Sequence, residues 1–212
     1  METKSFIKNI FYKRREKYYS VLKRRLKNTN PTIIANDCFG TFVYHNLGLR
    51  FNSPTINLYF SKEDFIIFVQ NLRGFLEAQL IEVHDETKKF PVGELEYNGK
   101  KIQINFMHYP TFEYAKMKWD DRKKRVDFSN IYIIQMISSK ITKKDILDFE
   151  NLPYKNKILI ANENLTNSPN IIVHNILNKK NYKPGEILSY RTIFSKKRYM
   201  DKIDYVSFLN RN

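Results

Sequence analysis

Residues 36–40 bring a carboxylate, a thiol and a glycine together directly after a short apolar run. Ligands of open α/β sheets collect beyond the carboxyl ends of strands, so Asn36, Asp37 and Gly40 are candidate site residues. A thiol at a helix N-terminus has a lowered pKa, and Cys38 would then be a thiolate nucleophile assisted by His45, about two helical turns further on. The alternative interpretation is that Cys38 is a small buried hydrophobic residue, as free cysteines commonly are.

A second candidate is His108, and we expect Tyr109, which follows it before Pro110, to contribute to substrate binding. Pro110 favours extended geometry at Tyr109, so we expect His108 at a turn between a strand and a helix, where it could act as a general base. It could also assist Cys38 in place of His45. The alternative is a histidine that only hydrogen-bonds the backbone of a turn.

The helix predicted after Thr111 carries cations beside a flat aromatic ring. Lys118, Trp119, Arg122 and Arg125 follow one another at near-helical spacing, and Trp119 and Arg122 are neighbours on a helix surface. Guanidinium groups bind phosphate oxygens in pairs, so this set could hold phosphate or diphosphate beside an aromatic wall. The alternative places Trp119 in the core, with a solvated face around it.

Several common chemistries have no counterpart in the sequence. The phosphate-loop pattern, the dinucleotide-binding glycine pattern and the nucleophile-elbow pattern are all absent. The four histidines are widely scattered, so we expect no metal site and no permanently bound cofactor. A single cysteine gives no basis for a disulfide framework.

The elements that must position these residues alternate between strand and helix signals. Apolar runs predict strands, capping pairs precede two of the helices, and Asn98-Gly99 predicts a two-residue hairpin turn. The predicted strands are 32–35, 54–60, the hairpin 94–106, 131–137, 157–161 and 171–173, and the predicted helices are 41–47, 62–75, 111–125 and 142–152. This order predicts a three-layer α/β fold, with a largely parallel, Rossmann-like sheet, an antiparallel hairpin and a basic N-terminal helix.

The positive charge of the chain is concentrated at its two ends. The net charge is +15, of which residues 1–27 carry +8 and residues 179–212 carry +6, so residues 28–178 carry only +1. A near-neutral body disfavours a groove for nucleic acid, and no nucleic-acid partner is expected. We therefore divide the chain into a basic amphipathic helix at 1–28 and a single α/β domain at 29–212 with a basic C-terminal segment.

The N-terminal helix is a candidate membrane contact. Its apolar positions fall on one side at the helical period: Ile7, Ile10, Phe11, Tyr18, Val21 and Leu22. With its basic residues, residues 1–27 could lie on an anionic membrane surface, and the alternative is a solvated basic helix that packs on the fold. No apolar run approaches the length of a membrane span, and no signal-peptide core is present. We expect a cytoplasmic protein, peripheral at the inner face of the membrane.

The chain resembles a bacterial family of unknown function whose members carry the name exopolysaccharide biosynthesis protein. The resemblance rests on motifs spread from about residue 31 to residue 210, namely Asn36 to Gly40, Tyr44, Leu47 to Leu49, Asn52 to Thr55, Pro91 to Gly93, His108-Tyr109, Lys118 to Arg122, Arg125 and Asn130. Genes of this family lie in capsule and exopolysaccharide clusters, so the resemblance implies a role in building or decorating a surface glycan.

The function expected from these features is transfer of a group to a surface-polysaccharide precursor, and acyl transfer is favoured. His108 would deprotonate a sugar hydroxyl, or Cys38 would carry the acyl group from acyl-coenzyme A. The alternatives are a glycosyltransferase that uses a nucleotide sugar with Asp37 as base, and a non-catalytic component of an assembly complex. The expected acceptor is a sugar or a lipid-linked glycan precursor.

Overall fold

A computed structural model describes the backbone of residues 2–211 and the side chains of residues 11–211. The strands are β1 (Thr32–Ala35), β2 (Ile81–Val83), β3 (Val92–Tyr97), β4 (Lys100–Asn105), β5 (Ile131–Met136), β6 (Lys157–Ala161) and β7 (Ile171–Val173). The α-helices are α1 (Glu2–Arg25), α2 (Cys38–Leu47), α3 (Lys62–Gln70), α4 (Leu72–Glu77), α5 (Phe112–Lys123), α6 (Lys143–Glu150) and α7 (Tyr205–Leu209). Three short 3-10 helices, at Asn175–Asn178, Glu186–Leu188 and Tyr199–Lys202, lie in the C-terminal segment.

Four parallel strands form the central sheet, in the order β1-β5-β6-β7. Successive side chains of a strand point to opposite faces, and both faces of this sheet are covered. On β1, Ile34 packs into one core with the second sheet and α3–α6, whereas Ile33 and Ala35 pack into another with α2 and the C-terminal segment. The predicted three-layer α/β fold with a largely parallel sheet is confirmed.

A separate three-stranded antiparallel sheet, in the order β2-β3-β4, contains the predicted hairpin. Asn98 and Gly99 both have positive φ angles, of 50° and 70°, as a two-residue hairpin turn of type I′ requires. The strand β2 was not predicted, because it has only three residues and most of its surface is exposed. This sheet packs on α3 and α4 and extends the core on one side of the central sheet.

Several predicted elements differ from the structure; the helix predicted at 41–47, for example, begins at Cys38. Residues 54–60 form no strand but an irregular segment with a single bridge, between Tyr59 and Asn105; its turn at Asn57 has a φ of 60°, which a strand cannot accommodate. The helix predicted at 62–75 is two helices, because the backbone leaves the helical conformation at Asn71. The helix predicted at 111–125 ends at Lys123.

The N-terminal helix packs on the C-terminal segment. Arg15 donates hydrogen bonds to the backbone oxygens of Ile193 and Ser195, at 3.0 and 3.1 Å, and Leu22 is buried. Tyr19 donates to Asp201 at 3.1 Å. The side chains of Ile7 and Ile10, part of the predicted apolar side, lie outside the described residues. Of the rest, Val21 is exposed, while Phe11, Tyr18 and Leu22 are partly or fully buried, so these three described residues face the protein. No helix within residues 2–211 combines the length and the apolar character needed to cross a membrane.

Candidate functional site

A cleft of about 920 Å³ lies at the carboxyl ends of β1 and β5. Its lining residues are Asn36, Asp37, Cys38 and Phe42 after β1; Tyr59, Phe60, Ser61, Lys62 and Glu63 at the start of α3; Phe90, Met107 and His108 beside the second sheet; Met136, Ile137, Ser138 and Ser139 at the end of β5; and Pro184, Gly185, Leu188 and Ser189 in the C-terminal segment. The position is where open parallel sheets usually bind ligands. Four predicted site residues, Asn36, Asp37, Cys38 and His108, therefore share one cleft.

Asn36 forms part of the cleft floor, but the structure uses its side-chain amide to join two strands. Its Nδ2 donates to the carbonyl oxygen of Met136 at 2.9 Å, and its Oδ1 accepts from the backbone N–H of Met136 at 2.7 Å. Its carbonyl oxygen accepts from Phe60 N–H at 2.9 Å. The amide thus continues the β1–β5 ladder for one more residue. Both polar atoms of the Asn36 side chain are used in this contact, so the structure does not support the predicted role of Asn36 in substrate binding.

Asp37 caps the N-terminus of α2. Its Oδ1 accepts from the backbone N–H of Phe39 at 2.9 Å, as N-cap carboxylates do. Burial raises the pKa of Asp37 from 3.8 to about 6, and it outweighs the opposing hydrogen bond from Phe39. A carboxyl with such a pKa exchanges protons readily near neutral pH, so Asp37 is a candidate acid or base in the cleft.

Cys38 lies at the N-terminus of a helix, as predicted, although α2 begins at Cys38 itself, and its thiol is not activated. The residue is only 8% exposed. Burial and the neighbouring charge of Asp37 raise the pKa of the thiol to about 12. The helix N-terminus favours a thiolate, but desolvation of a buried sulfur outweighs it here. The structure therefore favours the alternative interpretation, in which Cys38 is a small buried residue in the cleft wall.

His45 and Gly40, two further candidates, lie on α2 away from the cleft lining. His45 is in the last turn of α2 and is exposed to solvent. Gly40 is buried against β1, where an added Cβ would lie 2.8 Å from the Cβ of Ala35. Gly40 thus allows close packing of helix on strand. The tertiary fold does not bring either residue to the cleft.

His108 is an exposed residue of the turn that follows β4, and it lines the cleft together with Asp37 and Cys38. The turn is closed by a hydrogen bond of 3.0 Å from Tyr109 N–H to the carbonyl oxygen of Phe106. The side chain is accessible to a bound molecule, as a general base must be.

The residues predicted to hold phosphate have structural roles. Arg122 donates to the Tyr109 hydroxyl at 2.6 Å, and that hydroxyl donates to the carbonyl oxygen of Ile56 at 2.7 Å. Arg125 donates to the carbonyl oxygen of Phe51 at 2.9 Å and pairs with Asp121. These contacts join α5 to the irregular segment before α3. Neither arginine is among the residues that line the cleft.

Trp119 and Lys118 are also absent from the cleft wall. Trp119 is fully buried, with its ring 6.0 Å from that of Phe68, and its indole N–H has no hydrogen-bond partner among the described residues. Lys118 lies over the ring of Tyr114 at 5.1 Å. The alternative interpretation, with Trp119 in the core, therefore describes this helix.

Some cleft residues were not identified from the sequence. Ser61 and Lys62 begin α3, where the Ser61 side chain accepts from Asp64 N–H at 2.9 Å; the capping pattern predicted the helix start but not its place in the cleft. Gly185 and Leu188 come from the C-terminal segment, whose irregular backbone gives no periodic signal. Within the described part of the chain, no group of three or more His, Cys, Asp or Glu residues is arranged to hold a metal ion.

Comparison with known proteins gives a family but no activity. A protein of Haemophilus influenzae with the name "Uncharacterized protein" is 34% identical over 189 residues, which covers 89% of this chain and 88% of that protein. The family model described as "Domain of unknown function (DUF1919)" matches residues 7–210. The match includes the cleft, both sheets and most of the N-terminal helix, so the chain belongs to the DUF1919 family.

Proposed function

We propose that this protein is a transferase that acylates a hydroxyl group of a surface-polysaccharide precursor. The single observation that carries the proposal is the shared cleft, in which an accessible histidine, His108, and a carboxyl of raised pKa, Asp37, line one cavity at the carboxyl edge of the sheet. The resemblance to proteins named for exopolysaccharide biosynthesis supports a glycan precursor as the acceptor.

The character of the cleft wall supports an acyl donor. Phe42, Phe90, Met107 and Leu188 present large apolar side chains to the cavity, and such surfaces suit an acyl chain and the arm of acyl-coenzyme A. Nucleotide sugars and acyl-coenzyme A both carry a diphosphate, which needs cations at its oxygens. Arg122 and Arg125 are held in structural contacts outside the cleft wall, so the apolar wall is the feature that favours the acyl donor.

The residues of the cleft suggest that the acyl group passes directly from donor to acceptor, without a covalent intermediate on the protein. His108 accepts the proton of the acceptor hydroxyl as the hydroxyl oxygen attacks the acyl carbonyl. The new ester bond forms as the carbon–sulfur bond of the donor thioester breaks, and the departing thiolate takes up a proton. A covalent acyl-cysteine is disfavoured because burial keeps the Cys38 thiol protonated.

A glycosyltransferase is the second candidate, and Asp37 favours it. Its carboxyl lines the cleft and has a pKa of about 6, so it would serve as the base that activates an acceptor hydroxyl. In that case the cleft would hold a nucleotide sugar instead of an acyl thioester.

We also propose that the protein works at the cytoplasmic face of the membrane, on an anionic surface. Residues 191–197, which we call the basic tip, carry Arg191, Lys196 and Lys197 together with Ile193 and Phe194. Ile193 is 74% exposed and Phe194 is 60% exposed, and the tip is fixed to α1 by the hydrogen bonds of Arg15. Apolar residues among cations are typical of surfaces that enter a headgroup layer.

The test is an assay of the purified protein with radiolabelled acetyl-coenzyme A and a panel of glycan acceptors, with His108→Ala as the variant. We expect acyl transfer by the wild type and a decrease of about 10²–10⁴-fold in kcat for the variant. His84→Ala is the matched control, since His84 is exposed in the loop before β3 and outside the cleft lining.

A thermal-shift measurement distinguishes the alternatives. Stabilisation by coenzyme A supports the acyl donor, whereas stabilisation by nucleotide sugars alone supports the glycosyltransferase. A protein that binds glycan precursors without turnover would be a non-catalytic component of an assembly complex.

A further inference from the structure

A second, smaller cavity of about 470 Å³ lies beside the main cleft, between the beginnings of α3 and α6. The two cavities share Lys62, Glu63 and Ile137 in their walls. The side chains of these shared residues therefore separate the two cavities. This arrangement provides adjacent places for two substrates.

Gln135 is the unusual residue of the second cavity. It lies on the central strand β5 between apolar neighbours, lines the cavity and is only 1% exposed. Its Nε2 donates to the carbonyl oxygen of Lys62 at 3.0 Å, whereas its Oε1 has no partner in the part of the chain that the structure describes. A buried acceptor without a partner lowers stability, so an unpaired oxygen in a cavity wall indicates a ligand that donates a hydrogen bond.

The carboxylates of this cavity are also hydrogen-bond acceptors. Asp145 on α6 accepts from Lys62 on α3 at 2.9 Å and from Thr142, and Asp148 pairs with Lys144 on the same helix. With Glu63, the lining holds three carboxylates and two lysines, a net charge of −1. Such a lining repels phosphate and suits a neutral molecule with several hydroxyl donors.

Apolar groups complete the wall. Ile66 and Ile67 on α3 and Ile137 after β5 line the same cavity. A sugar ring presents hydroxyl groups at its edge and C–H groups on its faces. A wall that combines carboxylates, the amides of Gln70 and Gln135, and isoleucine side chains matches both.

We propose that the second cavity binds the sugar ring of the acceptor, with the Gln135 Oε1 accepting a hydrogen bond from a ring hydroxyl. The binding of a neutral sugar depends only on this cavity. Its part in acyl transfer rests on the function proposed above. In that function, the acceptor hydroxyl nearest Lys62 would point toward the main cleft, where the donor lies.

The experiment is saturation-transfer NMR on the full chain with glucose, galactose and N-acetylglucosamine as probes. We expect transfer to at least one sugar and at least about tenfold weaker binding in Gln135→Met, which keeps the side-chain volume but removes the acceptor. Gln103→Met is the matched control, because Gln103 is an exposed glutamine on β4 outside both cavities.

A second variant keeps the test independent of how Gln135→Met folds. Ile67→Trp fills the cavity from its partly buried rim without changing Gln135, and it should abolish saturation transfer. The inference is overturned if none of the three sugars shows transfer, or if both variants bind as the wild type does. Sugar binding without acyl transfer would leave the inference standing and remove the proposed reaction. Acyl transfer with an unchanged acceptor KM in Gln135→Met would overturn the inference and leave the proposed reaction standing.

Discussion

Asn36 and Met136 exchange two hydrogen bonds across the carboxyl ends of β1 and β5, through the side-chain amide of one residue and the backbone of the other. The amide imitates a peptide group, so the ladder continues past Ala35, where β1 ends. This contact sets the distance between the strand that leads to Asp37 and the strand that leads to Ser138. Both hydrogen bonds lie in the floor of the cleft.

Replacing Asn36 by alanine tests this role. Asn36→Ala leaves a buried N–H and a buried carbonyl of Met136 without partners, so the free energy of unfolding should decrease by about 2–4 kcal/mol. Urea denaturation measures the change. Asn181→Ala, at an exposed asparagine, is the control and should have almost no effect. A decrease in the free energy of unfolding below about 1 kcal/mol for Asn36→Ala would contradict this role of the Asn36 side chain.

The protonated state of Cys38 predicts an unreactive thiol. Because burial raises its pKa to about 12, iodoacetamide at neutral pH should not alkylate Cys38 in the native protein, whereas the urea-unfolded chain should react normally. Mass spectrometry of both samples measures the modification. Rapid alkylation of the native protein would restore the nucleophile interpretation.

The raised pKa of Asp37 predicts a specific pH dependence of stability. The folded state binds this proton more tightly than the unfolded chain, so the contribution of Asp37 is present below pH 3.8 and is lost as the pH rises through about 6. Asp37→Asn keeps an oxygen for the cap and does not titrate. The variant should therefore gain up to about 2–3 kcal/mol on the wild type between pH 4 and pH 7. Denaturation at several pH values measures this difference, and a constant difference would contradict the prediction.

The contact of Arg122 with Tyr109 predicts a loss of stability without a loss of donor binding. Arg122→Ala removes the charged donor of a partly buried hydroxyl, so the free energy of unfolding should decrease by about 1–3 kcal/mol. The affinity for coenzyme A or a nucleotide sugar, measured by calorimetry, should stay unchanged. Arg50→Ala, at an exposed arginine, is the control for stability. Loss of donor affinity in a stable Arg122→Ala protein would contradict the prediction and show that Arg122 contributes to donor binding.

The basic tip predicts binding to anionic vesicles. Replacing both Ile193 and Phe194 by serine removes the exposed apolar side chains and should weaken sedimentation with phosphatidylglycerol vesicles by roughly tenfold to a hundredfold. The control replaces Leu147 and Leu165, two exposed leucines outside the tip, by serine. Equal binding of the two double variants would exclude insertion of the tip.

Local sequence signals predicted much of the fold. Asn98-Gly99 specified the hairpin because its two residues accept positive φ, and Thr142 with Asp145 specified the start of α6 through a capping box. The run at 131–137, which is apolar except for Gln135, indicated a strand covered on both faces, and β5 is one. At Asn57 the turn involves a residue outside the local segment, through the hydrogen bond of 3.0 Å from Asn57 N–H to the Thr41 hydroxyl. At Asn71 the hydrogen bonds are local, and the side chain donates to the carbonyl oxygen of Ile67 at 3.3 Å.

The sequence by itself determined that Asn36, Asp37 and Cys38 stand between the end of a strand and the start of a helix, because backbone propensities and caps act within a few residues. Only the tertiary structure decided that His108 lines the same cleft as Cys38, whereas Arg122 and Arg125 bond to Tyr109 and Phe51 outside the cleft lining, because those contacts join separate segments of the chain. It also decided that the Cys38 thiol stays protonated, because desolvation depends on everything that packs around the sulfur, and here that outweighs the local helix dipole.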